Sequence, residues 1–193
     1  MAHVKQWTAA AASLAVVATL GLWFSAPRGA QGDAPAPASE AATQPTILAK
    51  SPAAAGRYLV QIAGCNDCHT AGFAMKDGHV PESEWLTGSP IGWRGPWGTT
   101  YASNLRLYAA SFTPKTWVHT LRTRKDRLPP MPWSSLDAMS DQDLEAIYAY
   151  LTLPGPKGEK MPANLAPGVE PTTPYTDMMP KMPGGAPLPV DAH

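Results

Sequence analysis

The order of apolar and polar residues divides this chain into a helical middle and two flanks without period. Apolar positions run almost unbroken from Thr8 to Ala26, behind Lys5, and then give way to Ala, Pro, Gly and Ser as far as Lys50. At Ser51-Pro52 an N-cap residue meets a proline suited to the first helical position. Tyr58, Ile62 and Cys65 follow at i, i+4 and i+7, on one helical face. Helical signals return at Thr113-Pro114, where Phe112 and Trp117 have the N′/N4 spacing of a hydrophobic staple, and this helix is expected to reach about Arg124. A third helix opens at Ser140, with Asp143 completing a partial capping box and Met139 with Leu144 as a second staple. Leu144, Ile147, Tyr148 and Leu151 mark its buried face, and it stops near Leu153-Pro154-Gly155.

From residue 71 to 110 the period is lost. This stretch is rich in Gly and Pro yet contains Trp85, Trp93 and Trp97. So long a loop inside a domain is functional or packs against something large, and three tryptophans argue for burial. No strand pattern is convincing and no internal repeat is visible, so the expected class is all-α. The expected organisation is an export or anchor segment over 1–26, an Ala/Pro-rich linker over 27–50, a helical domain over 51–153, and an extended Pro-rich tail over 154–193.

Composition narrows the function. The 22 prolines gather toward the two ends, which fits an ordered middle with irregular flanks. Lys plus Arg and Asp plus Glu are each 15, for a formal net charge of zero, and no basic footprint of a nucleic-acid partner is present. Lys5 ahead of an Ala/Leu/Val run has the layout of an export signal. The run is longer than a usual signal core and just long enough to span a bilayer, which favours an uncleaved anchor over a removed signal. Either reading puts the remainder outside the cytoplasm.

The chain has two cysteines, and both lie in Cys65-Asn66-Asp67-Cys68-His69. This is the attachment sequence of a c-type haem. Two thiols one helical turn apart can add to the two vinyl groups of a porphyrin, and the adjacent imidazole then comes beneath the ring, directed at the iron. A thioredoxin-like pair needs a βαβ context, and structural zinc needs four ligands; the sequence offers neither. For the second axial ligand the candidates are Met75, Met131, Met139, His79 and His119. Met131 stands out in Leu128-Pro129-Pro130-Met131-Pro132-Trp133, where prolines stiffen the chain and bias Met131 away from helix. His/Met ligation is the pattern of cytochromes c. His119 is the substitute, and Met139 is explained by the staple.

The succession of helix, Cys-x-x-Cys-His, long loop, middle helix, Met-Pro loop and final helix resembles class I cytochrome c. Closer still is the similarity to the cytochrome c subunits of membrane-bound bacterial alcohol, aldehyde and gluconate dehydrogenases. It is carried by Gly56-Arg57-Tyr58-Leu59, Tyr101-Ala102-Ser103-Asn104-Leu105, Pro130-Met131-Pro132-Trp133, Met139-Ser140-Asp141-Gln142-Asp143-Leu144 and Ala146-Ile147-Tyr148-Ala149-Tyr150-Leu151. The resemblance covers residues 51–153, and the chain departs from it in having one haem motif where those subunits commonly have several. It implies helices packed around one haem, with Gly56 against the Tyr148 region where the first and last helices cross. It also implies work on the periplasmic side of a bacterial inner membrane, or free in the periplasm, with redox proteins such as a dehydrogenase or oxidase complex as partners.

With His69 and Met131 on the iron no coordination position stays open, so an electron carrier is expected, not an enzyme. It would act as a tethered shuttle or as a subunit of a respiratory redox complex. The alternative is a haem sensor or peroxidase-like enzyme from which Met131 dissociates. Trp93, Arg94, Trp97 and Asn104 are candidate propionate contacts in the long loop. The basic run Arg122, Arg124, Lys125 and Arg127 is a candidate docking patch for an acidic partner, and Tyr175, Met178, Met179 and Met182 are tail residues suited to packing along one.

Overall fold

In the computed structural model of the protein, which describes residues 47–185, Ser51 caps helix α1 (Pro52–Ile62) by accepting the amide of Ala54. Gly64, at φ +67°, separates α1 from the short helix α2 (Cys65–His69). Single 3₁₀ turns at Ala74–Lys76 and Glu82–Glu84 lead to strands β1 (Gly92–Gly95) and β2 (Gly98–Tyr101), then α3 (Leu105–Ala109). Helices α4 (Pro114–Thr123), α5 (Trp133–Ala138) and α6 (Asp141–Thr152) follow, and strand β3 (Tyr175–Asp177) lies in the C-terminal segment. The capping boxes are made in full: Thr113 with Thr116 on α4, and Ser140 with Asp143 on α6.

The expectation of an all-α class I cytochrome c fold is corrected to a mixed fold, with six helices and a three-stranded sheet among the described residues. β1 and β2 form an antiparallel hairpin, and β3 adds to β1 in parallel, giving the order β2-β1-β3. The sheet was hidden for physical reasons. Strands of three or four residues are too short to show alternation, β1 begins and ends on glycine, and the residues that pair with it come from the far Pro-rich segment.

The core lies where α1 crosses α6. Val60 is fully buried, and Leu144 and Leu151 are each 1% exposed. A Cβ on Gly56 would overlap the Ala146 carbonyl oxygen and come within 2.5 Å of its carbon, so the crossing requires a bare backbone at that point. α4 packs beside α6 through Trp117, whose indole N–H donates to the Leu144 carbonyl at 3.0 Å. Phe112 and Trp117 meet with ring centroids 6.2 Å apart, the staple expected at this helix start. A polar tie holds α1 to the loop before the sheet. Arg57 donates to both Glu82 oxygens at 2.8 and 2.9 Å, and the Tyr150 hydroxyl of α6 donates to the same carboxylate at 2.7 Å.

Beyond α6 the chain stays extended but is fastened along its length. Arg106, buried on α3, donates to the carbonyls of Pro154 and Gly155. Leu165 exchanges two backbone hydrogen bonds with Thr99, at 3.0 and 2.8 Å. Gly98 is required at that crossing: its φ is +102°, and a Cβ would come 2.8 Å from the Ala166 carbonyl carbon. The apolar run expected to be a signal or anchor lies outside the described residues, and among the described residues no helix is long and apolar enough to cross a membrane.

Two outcomes are expected. Gly56→Ala lowers stability by about 3 kcal/mol, the upper part of the overpacking range, because the neighbour is backbone and cannot rotate away; thermal melting checks it. The Arg57 guanidinium, more than the Tyr150 hydroxyl, holds the Glu82 carboxyl below its ordinary 4.5. The depressed value means that the tie stabilises the fold above that pH and is lost as pH falls through the folded value. With Glu82 46% exposed, the effect is screened to about 0.5 kcal/mol. The stability gap between Glu82→Gln and the native chain should therefore close in acid denaturant titrations.

Candidate functional site

α2 is held from outside by a buried polar chain. The Thr70 hydroxyl donates to the Asn66 side-chain oxygen at 2.7 Å and accepts the Leu86 amide at 2.8 Å, while the Gly88 amide donates to the His69 carbonyl at 2.7 Å. Asn66 and Thr70 are 1% and 2% exposed. Loop 86–88 is thereby bolted to the helix that presents Cys65, Cys68 and His69.

His69 is buried, and burial pushes its imidazole below the ordinary 6.5, against a smaller opposing effect from its bond to Ser103. It is therefore neutral at pH 7. Its Nδ1 lies 2.8 Å from the Ser103 carbonyl oxygen, which can only accept, so Nδ1 carries the proton and Nε2 keeps its lone pair. A carbonyl on the far nitrogen is the usual device for orienting a metal-ligating imidazole.

Cys65 and Cys68 are free thiols, each partly buried. Burial, reinforced by Asp67, pushes the Cys65 thiol up to about 11, and Cys68 is raised for the same reasons. Nucleophilic and redox-active cysteines show the opposite shift, in electropositive surroundings.

These three residues line one partly open cavity. Met131 lines the same cavity, on the loop between α4 and α5. Leu105, Leu121, Leu144 and Ile147 supply apolar wall, and Arg124, Asp126, Tyr101 and Asn164 supply polar wall. Two thiols, an imidazole with a free lone pair and a thioether around one mostly apolar space are the donor set of a covalently held haem.

Of the other candidate axial ligands, only Met139 also lines the cavity, where it packs against the core as its staple role requires. Met75 is 86% exposed, His79 is exposed with Nδ1 bonded to the Lys76 carbonyl, and His119 is exposed on α4.

The loop residues named as propionate contacts divide. Trp93 lines the cavity, whereas Arg94, Trp97 and Asn104 do not. Arg94 pairs with Glu170 and lies 5.2 Å from the Tyr175 ring centre. Trp97 sits in the β1–β2 turn, its indole nitrogen buried with no hydrogen-bond partner. Asn104 caps α3 through its side-chain oxygen, and its amide nitrogen donates to the carbonyls of Lys157 and Glu159 at 2.7 and 3.2 Å. In the basic run, Arg122, Arg124 and Arg127 are paired with Asp141, Asp126 and Asp137.

Four contributors were not foreseen. Ser103 acts through its backbone, so no residue type signals it. Asn164 lies in the Pro-rich tail, where no period leads to it; its side-chain oxygen accepts the Tyr101 amide at 3.0 Å. Arg124 was a candidate docking charge and Asp126 carried no signal of its own, and both line the cavity.

Asn104→Ala removes a helix cap, worth about 1 kcal/mol, together with both tail tethers. Tryptic cleavage at Lys157 and Lys160 should accelerate relative to the native chain, which timed digestion would measure.

Comparison with known protein families, with curated proteins and with solved structures finds no match to this chain.

Proposed function

We propose that this chain is a one-electron carrier built on a single covalently held haem c. The observation that carries the reading is the convergence of Cys65, Cys68, His69 and Met131 on one mostly apolar cavity. In this reading Cys65 and Cys68 would hold the porphyrin through thioether bonds, and His69, through Nε2, and Met131, through its sulfur, would hold the iron. Haem supplies a reversible ferric/ferrous couple.

The chain's own residues set the terms of that couple. The Ser103 carbonyl fixes the imidazole tautomer and makes it a stronger donor. Leu105, Leu121, Leu144 and Ile147 give the site an apolar wall, and apolar surroundings with a thioether ligand stabilise the ferrous form and raise the potential. Thiols held protonated by burial argue against dithiol redox chemistry at Cys65 and Cys68.

Two side-chain ligands leave no coordination position for a substrate, which favours outer-sphere electron transfer over catalysis. The domain would work outside the cytoplasm, tethered at the membrane or as a subunit, with redox proteins as donor and acceptor. The sequence motifs that resemble those of dehydrogenase cytochrome subunits favour that setting, and the single Cys-x-x-Cys-His motif departs from their usual arrangement.

The ferric haem-loaded protein is expected to show the far-red band of thioether-to-iron charge transfer and, once reduced, to bind carbon monoxide poorly. Met131→Ala should abolish the band, open the iron to carbon monoxide, and lower the midpoint potential by a fraction of the roughly 0.8 V that axial ligands span. Met139→Leu should leave all three unchanged. Ready carbon monoxide binding by the native protein would favour the sensor or peroxidase alternative, and an unchanged Met131→Ala spectrum would remove Met131 from the iron.

A further inference from the structure

The loop that carries Met131 has no anchor in the hydrophobic core. From Arg124 to Trp133 no residue is buried or packs against the core cluster, yet this stretch contributes Arg124, Asp126, Met131 and Trp133 to the cavity wall. Something other than burial fixes it.

The ties are polar and aromatic, and they converge on Trp133. Its indole N–H donates to the Leu128 carbonyl at 3.1 Å, and its backbone amide donates to the Met131 carbonyl at 2.9 Å, so the ring closes the segment 128–133 on itself. Two guanidinium groups lie over that ring, Arg124 and Arg127, each with its central carbon 5.5 Å from the ring centre. Like charges so close would repel, but each is compensated. Arg124 is bidentate to Asp126, with both bonds 2.8 Å, and Arg127 is bidentate to Asp137 at 2.6 and 2.9 Å. Both arginine side chains are 28% exposed, which is little enough for the ring contacts to be partly desolvated.

The cluster is also fixed to its surroundings. The Arg127 Nε donates to the Arg124 carbonyl at the end of α4, and an Arg124 nitrogen donates to the Tyr108 hydroxyl on α3. From the sheet side, the Thr100 hydroxyl donates to the Pro129 carbonyl at 2.7 Å.

We propose that Trp133, with Arg124 and Arg127 over its ring, is a positioning cluster that holds the Met131 thioether at the cavity and sets how easily it can be displaced. The inference rests on the haem reading above and goes beyond it: it assigns an internal task to arginines that the sequence suggests as partner-docking charge. Proline rigidity restricts the shape of the loop, and the cation–π cluster restricts its position.

The test uses the haem-loaded full chain and imidazole as a competing ligand for ferric iron, with hydrogen exchange at residues 128–133 as an independent readout. Trp133→Leu and the double variant Arg124→Gln/Arg127→Gln should bind imidazole roughly five- to thirtyfold more tightly, the factor for losing two partly desolvated cation–π contacts. Both should also exchange faster over that segment. Trp133→Phe retains a ring beneath the guanidinium groups and should recover most of the native behaviour. Unchanged imidazole affinity and exchange in the double variant, or a Trp133→Phe protein as labile as Trp133→Leu, overturns the proposal. Absence of the far-red thioether band from the native protein defeats the axial-methionine reading itself, and the positioning role with it.

Discussion

The site depends on one hydrogen bond, from the His69 imidazole to the carbonyl of Ser103. At 2.8 Å, with the ring buried and neutral, it decides which nitrogen carries the proton and which is left to donate a lone pair. Much of the surrounding structure keeps the two partners in place. The Asn66–Thr70–Leu86 chain fixes α2 from one side. On the other, Ser103 stands between β2 and the Asn104 cap of α3. The small sheet that sequence periodicity did not reveal ends at Tyr101, so its register sets the height of Ser103 beside α2.

The C-terminal segment is part of this arrangement. It has the composition of an unstructured tail, and by burial alone it would be one, since most of its residues are exposed. What orders it is the need of buried polar groups for partners. Arg106 and Asn104 are 5% and 4% exposed, and their donors are satisfied largely by carbonyls of residues 154–159. Unpaired, those donors would be costly to bury. The same segment delivers Asn164 to the cavity wall and β3 to the sheet edge, and thus completes both.

How much of this was legible depended on the range of the interaction. The helix starts at Ser51, Thr113 and Ser140 were readable because caps and staples act within five residues, and the Cys65–His69 pentapeptide and the proline-bracketed Met131 stand out in the sequence because their signals are local too. The sheet was not readable, because β3 reaches β1 from the far end of the chain and its strands are too short to alternate. Arg94 and Asn104 have the chemistry of propionate contacts, but their partners are tail residues that no spacing rule links to them. Arg124 and Arg127 were candidate docking charges because a charge run in sequence does not show the aspartates and the indole that fold against it.

Covalent attachment of a porphyrin at Cys65 and Cys68 is the central claim of the proposed function. The most direct measurement is the intact mass and haemochrome spectrum of the chain after expression with a cytochrome maturation system and full denaturation. One haem per polypeptide, resistant to acid–acetone extraction and lost in Cys65→Ala/Cys68→Ala, is the predicted result. A denatured native chain with the bare polypeptide mass and no extraction-resistant haem absorbance would contradict it.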